Sequence, residues 1–364
     1  MIQQFKVNTQ EINYNRIFLL SDLHFGVRSN SLEWLTNQKD FFREWYIPFL
    51  KDNIQKGDIL FILGDWFDNR QLLDIYVMNN SIDIIFELSK IIPIYFLTGN
   101  HDIYKKYDTD VNSIAAFKFI PNVTVFEKPI IITNKDSKIL ILPWIGNKED
   151  EENYIRANKF DYVFAHIDMS GFRYDNGKEI TTAADFSNFK EIKKLFSGHI
   201  HKRQERKNLI YLGSPYHTKR GDIGNTKGAY IFNPKDNTYD FKINNFSPIF
   251  QRIMLDGILE LTLEDTIKIL NNNYTDIVVS DKYINLFNLT KFIDILKTCN
   301  YKKIETISEQ NSPEEEISNF EGVDIRDILT LLEIGIEDLG HQMEVTDKLK
   351  LLNKEYYDKA TKEE

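Results

Sequence analysis

The chain has 364 residues, 42% hydrophobic and 27% charged, enough for more than one globular domain. A single cysteine, Cys299, excludes an internal disulfide and a cysteine-based zinc site, and suits a reducing compartment. No apolar run reaches membrane-spanning length and Met1 to Arg16 lacks a signal-peptide core, so the expected location is the cytoplasm, with no membrane partner. The net charge of −10 argues against a polyanionic partner only until its distribution is read. Residues 311–364 carry 15 Asp/Glu against 6 Lys/Arg, which leaves −1 for residues 1–310. The segment 196–220 holds Lys202, Arg203, Arg206, Lys207, Lys219 and Arg220 against Glu205, and local field decides whether phosphates are attracted.

Arg16–Leu20 is a short apolar run of the kind buried strands show, and it ends in Ser21-Asp22-Leu23-His24. On extended backbone Asp22 and His24 face one side, an oxygen and a nitrogen converging on one ion; a surface turn is the alternative. Residues 32–54 have helical spacing, with a break expected at Pro48. Ile59–Leu63 is the second run and ends in Gly64-Asp65-Trp66-Phe67-Asp68. Asp65 can bridge two cations through its two oxygens; Asp68 reads as a solvated or capping residue rather than a ligand. Residues 71–90 read as an amphipathic helix. The third run, Pro93–Leu97, ends in Gly99-Asn100-His101-Asp102. Asn100 offers a neutral oxygen, His101 is either a ligand or a proton donor, and Asp102 either orients His101 or caps a helix.

Strands are expected over 123–126, 130–132 and 139–142, closed by Pro143-Trp144. The fourth run, Tyr162–Ala165, leads to His166, and 167–190 reads as a long loop near a substrate. Leu195-Phe196 then leads to Gly198-His199-Ile200-His201. Late strands follow at 229–232 and 239–243. His217, in the basic segment, either contacts phosphate or is a loop residue. After Pro248 the pattern becomes a small α+β unit with helices near 263–270 and 288–298 and strands near 277–280 and 303–307. Residues 308–323 read as a linker. From Asp324 two acidic helices are expected, one striped by Ile325, Ile328, Leu329, Leu332, Ile336 and Leu339, the other by Leu349, Leu352 and Tyr356. Such a pair either buries its face on a partner or folds back on its own domain. The domains are thus expected at 1–247, 248–310 and 311–364.

Five of the seven histidines lie at strand ends in these stretches. The ligand set is nitrogen and oxygen without sulfur, which suits manganese, iron or zinc better than magnesium or calcium alone. Seven candidates (Asp22, His24, Asp65, Asn100, His166, His199 and His201) are too many for one tetrahedral ion and fit two divalent ions sharing Asp65. Two cations about 3.5–4 Å apart suit phosphate-ester hydrolysis. His101, if left off the metals, would protonate the leaving alkoxide.

Asp-x-His, Gly-Asp-x-x-Asp, Gly-Asn-His-Asp, a lone His and Gly-His-x-His, in this order over about residues 16–245, resembles the calcineurin-like metallophosphoesterases. By that resemblance Asp22, His24 and His201 hold one metal, Asn100, His166 and His199 the other, with Asp65 between; His199 and His201, one residue apart on extended backbone, diverge to different ions. Ser-Asp-Leu-His-Phe-Gly, Gly-Asp-Trp-Phe-Asp, Leu-Pro-Trp at 142–144, Ser-Gly-His-Ile-His and Tyr-Leu-Gly-Ser-Pro at 211–215 look most like the SbcD-type DNA repair nucleases, especially the recombination endonuclease subunit of large phages. The resemblance implies an α/β fold, a four-layer α/β/β/α metallophosphoesterase sandwich with a small α+β capping domain and C-terminal helices. It implies a manganese-dependent nuclease (magnesium being the alternative ion) with DNA as substrate and a role in recombination and repair. It further implies an SbcC-like SMC-type ATPase partner held by the C-terminal helices, and a homodimer formed through helices at 71–90 and 105–118. Lys202 and Arg203 become candidates for carrying the DNA backbone, and Asp68 and Asp102 for supporting the ligands. The competing readings are a phosphatase or phosphodiesterase on a nucleotide or phosphoprotein, and a non-catalytic scaffold.

Overall fold

The computed structural model of the chain describes residues 2–105, 108–135, 137–186, 189, 192–279, 286–308 and 323–324. The expected C-terminal helices beyond residue 324 lie outside them. The chain divides into two compact units, Met1–Ser247 and Pro248–Glu364.

The first unit is a mixed α/β fold built on two mixed sheets. One has six strands in the order Thr238–Ile243, Gly228–Asn233, Ile17–Leu20, Ile59–Leu63, Ile94–Leu97 and Val123–Phe126. The other has seven: Thr9–Glu11, Ile130–Thr133, Lys138–Leu142, Tyr162–His166, Lys194–Gly198, Leu209–Tyr211 and Gln204–Arg206. The four apolar runs that precede the first four ligand motifs are all buried strands, as is the segment leading into Gly198. They pair in parallel: 17–20 with 59–63, 59–63 with 94–97, and 162–166 with 194–198. Strands covered on both faces read as continuous apolar runs, which is why the sequence shows them clearly.

The two sheets face each other across Leu19, Phe61 and Leu63 on one side and Ile141, Phe164 and Phe196 on the other. The opposite face of the six-stranded sheet, with Phe18, Leu60, Ile62 and Phe96, packs on helical residues Leu35, Phe42, Tyr46, Ile84 and Leu88. Beyond the seven-stranded sheet the cover is the helix Lys148–Ala157 through Ile155, together with Phe172, Ile180 and Phe186 of the long loop. Because every ligand-bearing strand runs the same way within its sheet, all five motifs emerge at carboxyl ends, where open α/β sheets gather ligands.

Two expected elements differ. Residues 32–53 are not broken at Pro48. The helix passes through a widened stretch, Phe41–Tyr46, where the Ile47 N–H reaches back five residues to the Phe42 carbonyl, and Pro48 sits in the first turn of Ile47–Asn53. The shifted bonding frame accommodates a residue with no N–H. The described residues of 105–118 are not one helix. Ile103–Lys105 and Asp108–Asn112 form an antiparallel pair, closed by Ser113 N–H to Asp102 O, and only Ala115–Phe119 coils, as a single 3-10 turn. Ile103, Tyr104, Thr109 and Val111 favour the extended pair, and alanine enters only at Ala115. The helix expected over 71–90 spans Ile75–Ser89, capped by Asp74.

The second unit holds a sheet in the order Phe250–Met254, Tyr274–Val279, Lys303–Ser308 and Val323–Asp324, with helices Leu255–Glu260, Leu263–Leu270 and Leu286–Leu296. Leu255, Ile258, Leu270, Ile277, Phe292, Leu296 and Ile304 form its core. Among the described residues, no helix is long and apolar enough to cross a membrane.

Candidate metal centre

Three trios of side chains bring their ligand atoms within 4.8 Å of one another: Asp22 with His24 and His201, Asp65 with His166 and His199, and His24 with Asp65 and His101. Asp22, His24, Asp65 and His166 are buried, while Asn100, His101, His199 and His201 are half-buried. Asp65 sits between the first two trios, its Oδ2 3.3 Å from His166 Nε2 and 3.8 Å from His24 Nε2. Asn100 Oδ1 lies 2.9 Å from His166 Nε2 and 2.7 Å from His199 Nδ1. All seven expected ligands are therefore gathered in one place.

The backbone that gathers them is not the extended one the spacing suggested. Asp22 (φ 54°), His24 (47°), Asp65 (53°) and His199 (90°) all have positive φ. In the left-handed region such a residue costs roughly 1–2 kcal/mol, and strain of this kind concentrates at functional sites. The turns are held by backbone bonds between motifs. Leu23 and His24 donate to the Asp65 carbonyl at 2.9 and 3.0 Å, and the His199 N–H donates to Asp22 Oδ1 at 2.9 Å.

Close glycine contacts explain the small residues in the motifs. A Cβ on Gly99 would lie 2.1 Å from Asp65 Oδ1, and one on Gly198 2.1 Å from Ser21 Oγ. Asp102 neither orients His101 nor caps a helix. Its carboxylate accepts the N–H groups of Asp65 (2.8 Å), Trp66 (3.0 Å) and Gly99 (2.9 Å), tying the second motif to the third. Burial, and then the Asp65 charge, push its pKa up to about 6.

The donor set fits a cation. His166 Nδ1 donates to the Leu63 carbonyl at 2.8 Å, so in the neutral ring Nε2 is a bare lone pair. That lone pair faces Asn100 Oδ1 and Asp65 Oδ2, both acceptors. Acceptors converging in a buried place repel unless positive charge stands among them, a proton or a metal ion. Burial pulls the His166 pKa down, but Asp65 outweighs it and pushes it up to about 9. Asp65 is correspondingly held well below the usual carboxylate range, against its burial, by His166. In the other trio Asp22 Oδ2 and His24 Nε2 are buried without a hydrogen-bond partner among the described residues. Burial raises the Asp22 pKa; at His24, Asp68 and Asp65 outweigh burial and raise it too.

His101 stands at the edge of the cluster, its ring 4.9 Å from that of His24. Its Nδ1 donates to the Asp68 carbonyl at 2.6 Å, leaving Nε2 to act. Burial lowers its pKa against the opposing Asp65 charge, and the negative charge of a phosphate would raise it. The Asp68 side chain is not simply solvated; its Oδ1 lies 3.3 Å from His24 Nδ1.

The three basic-segment candidates are less direct. Arg203 turns away, donating to the Tyr230 hydroxyl at 2.9 Å with its guanidinium over Phe241. His217 is buried, with Nε2 donating to the Asn225 carbonyl at 3.1 Å, which makes it a loop-holding residue. Lys202 gives its backbone N–H to Asp175 Oδ1 at 3.2 Å.

The structure adds residues the motifs did not single out. Asp168 Oδ1 is 3.2 Å from His199 Nε2, and Asp175 Oδ2 is 3.3 Å from His201 Nδ1. Lys227, buried, donates to the His201 carbonyl (2.6 Å), Ser214 Oγ (2.8 Å) and Asp222 Oδ1 (2.6 Å). Trp144 of the Leu-Pro-Trp stretch lies over His199, ring centres 5.0 Å apart. Trp144 was legible only as part of Leu-Pro-Trp, and Asp168 carried a signal as an acidic residue two positions after the lone histidine; Lys227 lies 26 residues from its target.

The model of the calcineurin-like phosphoesterase family matches residues 15–203, just over half of the chain and every candidate ligand. The chain belongs to that family. This phosphoesterase is 28% identical over 241 residues to Exonuclease subunit 1 of Enterobacteria phage T4, covering 63% of this chain and 68% of that protein. It is equally 28% identical over 241 residues to Putative phosphoesterase 078R of Invertebrate iridescent virus 3, covering 63% and 65%. The chain thus spans about two thirds of the length of each. Among solved structures, a phosphopantetheinyl hydrolase from Mycobacterium tuberculosis is 13% identical with a TM-score of 0.31, over 56% of this chain and 92% of that one, a likeness too slight to bear on function.

Proposed function

We propose that this phosphoesterase is a metal-dependent DNA nuclease with a two-ion site. The observation that carries the reading is the pair of adjoining trios, Asp22–His24–His201 and Asp65–His166–His199, with Asp65 Oδ2 also 3.8 Å from His24 Nε2 and with bare histidine nitrogens and carboxylate oxygens turned inward. Asp22, His24 and His201 would hold one ion and Asn100, His166 and His199 the other, with Asp65 between them. The bound pair would neutralise the phosphodiester and supply hydroxide near neutral pH. His101, held by Asp68 O, offers Nε2 to the departing alkoxide. The nitrogen-and-oxygen donor set fits manganese, iron or zinc, and the resemblance to the SbcD-type nucleases favours manganese among them, with magnesium as the alternative. DNA is favoured over smaller phosphates by the likeness to Exonuclease subunit 1 over 241 residues. The name of that relative, a subunit, fits a multi-protein complex, and on the resemblance to the SbcD-type nucleases we infer that the protein works with an SbcC-like SMC-type ATPase and dimerises near the Ile75–Ser89 helix.

One observation favours phosphatase or phosphodiesterase activity on a nucleotide or phosphoprotein instead. The cations beside the site are matched by acids, Lys219 with Asp175 (2.6 Å) and Arg206 with Asp185 (3.6 Å), which reduces the field available to a polyanion. The test is turnover of DNA, nucleotides and a phosphoprotein with manganese, by wild type and His101→Ala. The reading expects DNA cleavage that falls 10²–10⁴-fold in the variant while metal content holds. Strong turnover of a nucleotide or phosphoprotein with none on DNA would overturn it.

A further inference from the structure

The two histidines of Gly-His-x-His do not face their neighbours in the same way. His199 turns Nδ1 to Asn100 Oδ1, 2.7 Å away, and its outer nitrogen is Nε2. His201 has Nδ1 on the outside, so Nε2 is its inner nitrogen. A carboxylate from the loop 167–186 stands behind each outer nitrogen, Asp168 at 3.2 Å from His199 and Asp175 at 3.3 Å from His201. Both contacts are close, but neither is aligned as a straight hydrogen bond, and each stands on what fixes its carboxylate. Asp168 is buried, with Oδ2 held by Lys148 Nζ at 2.7 Å and the Tyr174 hydroxyl at 3.1 Å. Asp175 accepts the N–H groups of His201 (3.1 Å) and Lys202 (3.2 Å) on one oxygen and Lys219 Nζ (2.6 Å) on the other.

A carboxylate can only accept from an imidazole, so the ring nitrogen beside it is the one that carries hydrogen. The other nitrogen is then the lone pair. We propose that Asp168 and Asp175 are positioning residues that fix the ring tautomers, so that His199 presents Nδ1 and His201 presents Nε2 to the ion pair. The loop that looked like a substrate loop thereby becomes part of the metal site's frame, one carboxylate for each ion. Carboxylates behind metal-bound histidines set ring orientation and tautomer, and losing one weakens metal binding 10–100-fold. An amide in place of the carboxylate can donate to the outer nitrogen and drive the hydrogen to the inner one, which blocks the lone pair.

This inference rests on the two-ion reading, and the experiment separates the two. Wild type, Asp168→Asn, Asp168→Glu and Asp175→Asn are compared by side-chain ¹⁵N NMR without metal and by Mn²⁺ titration calorimetry, with thermal melts as the folding control. In metal-free wild type the expected hydrogen is on Nε2 of His199 and Nδ1 of His201. Asp168→Asn should move the His199 hydrogen to Nδ1 and weaken one of the two Mn²⁺ sites 10–100-fold, leaving the other. Asp175→Asn should do the same at His201 and the other ion, and Asp168→Glu should restore part of the loss. Unchanged tautomers in both Asn variants overturn the proposal, as does loss of both ions together in either one. A wild type that binds no Mn²⁺ would sink the functional reading while the tautomer measurement still decides this one.

Discussion

Replacing Lys227 by methionine tests how far the His201 loop depends on one buried charge. Lys227 and Asp222 are both buried and pair at 2.6 Å. Lys227 also donates to the His201 carbonyl and to Ser214 Oγ. The two partners respond differently. At Asp222 burial is outweighed by Lys227 and the pKa falls, whereas at Lys227 burial outweighs Asp222 and draws the amine down. The pair therefore offsets only part of its desolvation, and the three short contacts are the firmer guide to what its loss would do. Removing one member of a buried pair costs about 3–5 kcal/mol, because the other charge is left behind. Asp222 keeps the N–H groups of Thr218 (2.9 Å) and Lys219 (3.1 Å), which places the expected loss near the lower end, about 3 kcal/mol. Asp222→Asn combined with Lys227→Met removes the stranded charge and should recover about 1–2 kcal/mol relative to the single variant. Urea unfolding gives both numbers, and Mn²⁺ titration should show weakening at the ion served by His201. A single variant within about 1 kcal/mol of wild type, or a double variant no more stable than the single, would refute the reasoning.

Two further perturbations test the frame around the site. Gly198→Ala places a Cβ 2.1 Å from Ser21 Oγ, 2.3 Å from Leu63 O and 2.8 Å from His166 Nδ1. It disturbs a carbonyl that accepts from both side chains, so a loss of about 2–4 kcal/mol and weaker metal binding are expected by chemical unfolding and calorimetry; wild-type values of both would show that the close packing is not needed. Glu151, buried behind Asp168, has its pKa pushed up to about 8 by burial and then by the Asp168 charge. Between its ordinary 4.5 and about 8 the folded state holds a proton that the unfolded state releases, so native stability falls as pH rises through that window. Glu151→Gln removes this slope and should melt higher than wild type at pH 8 but close to it at pH 5, the gain at pH 8 being a few kcal/mol at about 1.4 per pH unit. Melting differences that do not change with pH would contradict the assignment.

The amino-acid sequence by itself determined the strands and the ligand types. Doubly covered parallel strands must be apolar throughout, so Ile17–Leu20, Ile59–Leu63, Ile94–Leu97 and Tyr162–His166 are legible as runs, and the polar residues at their ends are legible by contrast. Local pattern misled where backbone geometry departs from regular elements. Pro48 falls within a helix because of a widened turn upstream, and 105–118 alternates weakly enough to pass for a helix. The spacing of Asp22 and His24 suggested extended backbone, whereas both are left-handed, a conformation stabilised by contacts with Asp65 that the local sequence does not show. Only the tertiary structure decided which nitrogen each histidine turns inward, because the oxygens beside the outer nitrogens come from Leu63, Asp68, Asp168 and Asp175, mostly distant in the chain. It likewise decided that Arg203 and His217 hold loops rather than face the site, since a side chain's charge is written in the sequence but its direction is set by what packs around it.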